Sequence, residues 1–252
     1  MSLGRGLAVC LLVLLASACR TVSANDRETA AVHQNLAKQS LSAGDFRSAL
    51  GEVEKALEAD PGNAEALNLR GLLLHLYFAR PDEAIADYRK ALELEPGFTE
   101  ARVNLGALLV AERRCPEAVP LLEKAQGDLL YREPYLAENN LGWCKYLMGD
   151  VEGGIAHLRA AVAVNPRFCL GYRNLAEIMD GLGRLDEALR LLERYGKECP
   201  SEPDADRRRA LVLLKQGERS AARGAFLACR EKARETELAE ECLRQAQLIP
   251  EQ

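Results

Sequence analysis

The sequence predicts an all-α chain: a right-handed α-solenoid of six stacked helix pairs with a C-terminal capping helix. Three observations carry that prediction. Prolines 61, 96, 166 and 200 each close a similar segment, at spacings of 35, 70 and 34 residues. The chain is 48% hydrophobic but only 5% aromatic. Its apolar content is rich in Ala and Leu, which lose little rotamer freedom in a helix. Turn chemistry recurs between the helices, at Gly44-Asp45, Gly149-Asp150, Gly183-Arg184 and Gly217-Glu218.

The spacing matches the period of about 34 residues of tetratricopeptide repeats. Repeats are expected near residues 30–63, 64–98, 99–134, 135–168, 169–202 and 203–236, with the capping helix running to 248. Small residues fall where paired helices approach: Gly71, Gly106 and Gly142 in first helices, Ala49, Ala84, Ala118 and Ala188 in second helices. Four positions after those alanines, Val53, Tyr88, Leu122 and Leu192 supply the bulk that fills each interface. The third repeat lacks its closing proline and carries an insertion over residues 127–134. A polar outer face on the last helix is what a solenoid end requires.

The N-terminus reads as an export signal over residues 1–18. Arg5 precedes an uncharged run from Leu7 to Ala16, about half of the roughly 20 residues that span a bilayer. Leu15-Ala16-Ser17-Ala18-Cys19 resembles a bacterial lipobox, with Ala16 where Leu is usual. Cys19 is the expected lipidation site, and residues 19–29 are expected to form a linker. Arg20 follows the cysteine in place of the Asp that in enteric bacteria retains lipoproteins at the inner membrane.

Composition and motifs argue against several functions. A net charge of −5 lacks the basic footprint of a nucleic-acid or anionic-lipid binder. The run Arg207-Arg208-Arg209 reads as a solvated helix face. His33, His75 and His157 stand in no metal-ligand spacing, and there is no C-x-x-C, G-x-S-x-G or phosphate-cradling loop. Gly181-Leu182-Gly183 reads as a helix joint. Acidic pairs at Asp82-Glu83 and Asp186-Glu187 complement helix N-termini. No enzyme, cofactor, metal, nucleic acid or small-molecule substrate is expected.

Setting aside Cys10 in the signal and Cys19 leaves Cys115, Cys144, Cys169, Cys199, Cys229 and Cys242. An even number in an exported chain points to disulfides, with several connectivities open. The repeat register favours 115–144, 169–199 and 229–242, since each pair falls on neighbouring helices at a shared edge.

In such repeats the first helix of each pair lines the concave face. Asn35, Asn104, Asn140 and Asn174 are placed at one recurring position, where an amide can donate to and accept from a ligand backbone. One helical step away stand Leu41, Leu72, Leu76, Val103, Val110, Trp143, Tyr146 and Leu147. An apolar stripe with aromatic anchors marks a protein-binding groove. Its expected occupant is an amphipathic helix or strand.

The signal, Cys19, six repeats, the insertion after the third, and Asn139-Asn140-Leu141-Gly142-Trp143-Cys144 followed by Gly149-Asp150 together resemble type IV pilus pilotins of the PilF/PilW/Tgl type. The layout is nearest to the myxobacterial members. The resemblance implies a lipoprotein on the periplasmic face of the outer membrane. It implies that the groove binds the pilus secretin monomer and aids its insertion and multimerisation, hence motility. The competing reading is a scaffold lipoprotein that recruits peptidoglycan hydrolases or synthases.

Overall fold

A computed structural model describes residues 21–250. The signal segment, Cys10 and Cys19 lie outside the described residues. Thirteen α-helices and no strands are present among the residues described. They follow one another as consecutive antiparallel pairs, the solenoid-like arrangement of repeated helix hairpins, in two compact units divided at Asn63 and Ala64.

The first unit holds α1 (Ala24–Ser42) and α2 (Phe46–Ala59). Helix α1 begins ahead of the start expected near residue 30, inside the segment 19–29 expected as linker. The cause is local: the Ser23 side chain accepts from the Asp26 amide, and the Asp26 carboxylate accepts from the Ser23 amide, a reciprocal capping box. Ala30, Ala37, Ala49, Val53 and Ala56 are buried between the pair. His33 Nδ1 lies 2.7 Å from Glu52 Oε2.

The second unit holds α3 (Ala64–Leu76), α4 (Pro81–Leu94), α5 (Thr99–Ala111), α6 (Cys115–Gln126), α7 (Pro134–Leu147), α8 (Val151–Val164), α9 (Cys169–Gly181), α10 (Leu185–Glu198), α11 (Pro203–Gln216), α12 (Arg219–Ala233) and α13 (Glu237–Gln247). Proline opens α4, α7 and α11, where its missing N–H has no intrahelical partner to lose. Gly71, Gly106 and Gly142 sit beneath Tyr88, Leu122 and Leu158 respectively, each large side chain filling the space a Cβ would need. Asp82-Glu83 and Asp186-Glu187 occupy the first turns of α4 and α10.

At the C-terminal end, Ala210, Phe226, Cys229, Cys242 and Ala246 form one buried cluster that fixes α13 onto α12. Glu237, Glu240, Arg244 and Gln247 remain exposed on the outer side of α13. Disulfides join Cys115 to Cys144, Cys169 to Cys199 and Cys229 to Cys242, with Cα–Cα separations of 5.3, 6.0 and 6.1 Å. The first links α6 to α7, the second ties the two ends of the α9–α10 pair, and the third links α12 to α13.

In the insertion between α6 and α7, Thr99 Oγ1 donates to Asp128 Oδ2 at 2.6 Å. The Leu130 amide donates to Asp128 Oδ1 at 3.0 Å. These bonds hold the Asp128 carboxyl below the usual carboxylate range. The tip presents Leu129 and Leu130, 96% and 90% exposed.

Candidate functional site

Within the second unit, side chains from four first helices converge on a cavity of about 380 Å³. His75 comes from the end of α3; Ala107, Val110 and Ala111 from α5; Asn139, Asn140, Trp143 and Leu147 from α7; Leu170 and Asn174 from α9. Arg113 adds a cation from the turn after α5. The walls are apolar and the floor carries amides, the composition of a site that takes an apolar side chain while meeting a backbone.

The amides form two short ladders. Asn104 Nδ2 donates to Asn68 Oδ1 at 3.0 Å, and Asn68 Nδ2 donates to Glu100 Oε1 at 3.0 Å. Asn174 Nδ2 donates to Asn139 Oδ1 at 2.9 Å. Each ladder leaves amide capacity unused among the described residues, on Asn104 Oδ1, Asn139 Nδ2 and Asn174 Oδ1. Asn139 and Asn174 line the cavity, where an incoming main chain can meet them, whereas Asn68 and Asn104 lie outside its lining.

The recurring position in α7 is therefore Asn139, not Asn140. Asn139 is buried and in register with Asn174, whereas Asn140 turns back to donate to the Leu136 carbonyl at 2.9 Å. Both nonetheless line the cavity. Val103 is a second correction: at 1% exposure it packs in the interior of α5 and offers nothing to a partner. Val110, Trp143 and Leu147 do line the cavity, and Leu76 is exposed at the end of α3 beside His75. Leu72 is half-buried and lies outside the cavity lining. Trp143 serves two ends, since it also packs with Tyr146, ring centroids 5.5 Å apart, against the core between α8 and α10. In the first unit, Asn35 is exposed on α1 and Leu41 half-buried near its end.

Asn139, His75 and Arg113 line the cavity and were not read as binding residues in the sequence. Half burial of His75 pushes its imidazole below the ordinary value of 6.5, with the Glu112 carboxylate acting weakly the other way. Arg113 stands out by its backbone. The left-handed residue of the turn between paired helices is Gly44, Gly149, Gly183 or Gly217 after α1, α7, α9 and α11, with φ between 71° and 93°, and Ala79 after α3, at φ 52°. After α5 that residue is Arg113, at φ 57°. Its amide donates to Val110 O at 3.0 Å and the Arg114 amide to Leu109 O at 2.8 Å, as Gly149 and Asp150 do to Tyr146 O and Lys145 O. A side chain in this conformation costs about 1–2 kcal/mol that glycine avoids.

A larger cavity, about 510 Å³, opens on the second-helix side, floored by Leu105 and Leu109. Its rim charges are satisfied locally: Arg89 pairs with Glu117 at 3.0 Å and Lys90 with Glu93 at 3.1 Å. It holds no free polar group to orient a ligand. Arg207, Arg208 and Arg209 are likewise paired, with Glu241, Asp204 and Asp206 among their partners. Among the described residues no three His, Cys, Asp or Glu side chains are grouped to hold a metal ion, and no helix is long and apolar enough to cross a membrane.

The tetratricopeptide-repeat profile matches residues 35–76, 73–129, 140–203 and 180–235, most of the chain. The chain belongs to the tetratricopeptide-repeat family. Tetratricopeptide repeats are typically non-catalytic modules that bind other proteins. Among solved structures, the fold is similar to that of PilW, described as a widely conserved type IV pilus biogenesis factor. That likeness has 25% identity and a TM-score of 0.76, and covers 85% of this chain and 98% of that one. PilF of Pseudomonas aeruginosa shares the fold at 19% identity and a TM-score of 0.70, over 88% of this chain and 99% of that chain. A tetratricopeptide-repeat protein of Parabacteroides merdae shares it at 19% identity and 0.69, over 86% and 84%. No curated protein matches the sequence.

Proposed function

We propose that this tetratricopeptide-repeat chain is a pilotin for the type IV pilus secretin. In this reading the signal is removed, Cys19 carries lipid, and the chain faces the periplasm from the outer membrane. The first-helix face of the repeats holds a segment of the secretin monomer and promotes its insertion and multimerisation. Pilus assembly and twitching or gliding motility follow. No bond is made or broken by the protein, whose contribution is binding alone.

The observation that carries the proposal is the likeness to PilW, which runs over nearly the whole of that protein and reaches 25% identity. The amide-floored apolar cavity adds support, because it suits a segment that offers both a main chain and an apolar side chain.

The test is an immunoblot of secretin, without heat dissociation, in cells with and without this gene. Loss of the high-mass ring with persistence of monomer is the expected result. Rings that form normally overturn the pilotin role and favour the peptidoglycan-enzyme scaffold. Cys19→Ser is expected to release the protein from the membrane fraction.

A further inference from the structure

Three properties of Arg113 bear on the cavity. It stands in the left-handed turn position that glycine takes after α1, α7, α9 and α11 and Ala79 takes after α3, so the turn itself asks for no arginine. It is exposed, and its guanidinium makes no hydrogen bond or ion pair among the described residues. It lines the cavity shared by Val110, Trp143 and Leu147. The neighbouring cation Arg114 is consumed by Glu117, its Nε lying 2.7 Å from Oε1. His75, the other ionisable group in the lining, is held toward its neutral form by burial. Arg113 is thus the one lining group that brings a free charge to the cavity.

We propose that Arg113 sets the specificity of this cavity: the occupant is a short partner segment in which a bulky apolar residue fills the cavity while an Asp or Glu within two positions pairs with the guanidinium. The proposal rests on the reading of this face as the binding face. At about 380 Å³ the cavity lies near the small end of ligand pockets, roughly 300–1,000 Å³, and suits one or two side chains better than a helix. The apolar walls supply the anchor, the open amides of Asn139 and Asn174 meet the main chain, and charge complementarity at Arg113 selects the acid.

A random dodecapeptide library displayed on phage and panned against the purified chain tests this, with Arg113→Gly and Arg113→Glu panned in parallel. The expected selection pairs a bulky apolar residue with a nearby acid on the native chain. On Arg113→Glu the acid is replaced by Lys or Arg. For a selected peptide, Arg113→Gly weakens binding about tenfold or more, while the melting temperature rises by about 2–4 °C as strain is released. Apolar selection without an acid, or unchanged affinity in Arg113→Gly, overturns the role of Arg113 and leaves the binding face standing. Failure of all three chains to select any peptide overturns the binding face itself, and this proposal with it.

Discussion

The ring of Tyr88 lies so close to Gly71 that a Cβ on that glycine would stand 2.8 Å from Tyr88 Cε1. Leu122 covers Gly106 in the same way, at 2.6 Å. Leu158 covers Gly142 at 2.7 Å, but there the Gly154 carbonyl also stands at 2.8 Å and the Leu158 amide at 2.9 Å. In the first two cases a side chain meets the missing methyl; in the third, main chain does too.

Alanine at these positions is therefore expected to destabilise in a definite order. Overpacking costs about 1–3 kcal/mol, against about 1 kcal/mol regained from helix propensity. Gly71→Ala and Gly106→Ala are expected to melt a few degrees below the native chain. Gly142→Ala is expected to melt lower still, because a backbone carbonyl cannot rotate aside as a ring or a leucine can. Thermal denaturation followed by circular dichroism ranks them, and a Gly142→Ala as mild as Gly71→Ala contradicts the account.

The disulfides close loops of 29, 30 and 13 residues. On chain-entropy grounds each of the longer ones contributes about 3–4 kcal/mol and the shortest about 3 kcal/mol. Reduction is expected to lower the melting temperature sharply, with hydrogen exchange accelerating in α6 through α13 and least affected in α1 and α2. Equal melting with and without reductant, alongside six reactive thiols, would mean that the bridges do not form in solution.

His75 makes stability depend on pH. Its folded-state value lies below the ordinary 6.5, so the unfolded chain binds the proton more tightly. The contribution is fully present above about 6.5 and is lost as pH falls through the folded-state value. Urea midpoints are expected to drop for the native chain between pH 7.5 and 5, and to drop less for His75→Gln. Parallel pH profiles for the two proteins would refute the assignment.

Leu147 and Val103 separate surface from interior. Leu147 is 38% exposed at the cavity wall, so Leu147→Glu is expected to weaken partner binding at least tenfold while melting within a degree or two of native. Val103→Asp buries a charge without a partner and is expected to unfold the α5 repeat. Trp143→Ala lies between, losing affinity and stability together. Partner pull-down and melting curves, measured on the same preparations, check all three.

Helix pairing was legible in the sequence because prolines, small residues and turn glycines repeat with the period of the stack. The start of α1 was less so, since a register counted back from Pro61 stops near residue 30 while the Ser23–Asp26 cap acts only on its own first turn. Asn139 and Asn140 illustrate a different limit. Adjacent amides lie about 100° apart around a helix, and the insertion after α6 blurs the count that would choose between them. Val103 reads as groove on period alone, and only packing against neighbouring helices turns it inward. The cavity joins four helices spread from His75 to Asn174, so no local pattern marks it. Arg113 did leave a trace: an arginine in the turn position that glycine takes after α1, α7, α9 and α11.

Each bridge joins a cysteine to the next one along the chain: 115 to 144, 169 to 199, 229 to 242. As the polypeptide emerges from its N-terminus, each of these cysteines meets its partner before a later one of the six arrives. Oxidation can keep pace with synthesis, and the order of arrival selects the native pairing. Thiol shuffling is then dispensable, and a truncated chain ending after Cys144 or Cys199 carries no orphan sulfur among those six.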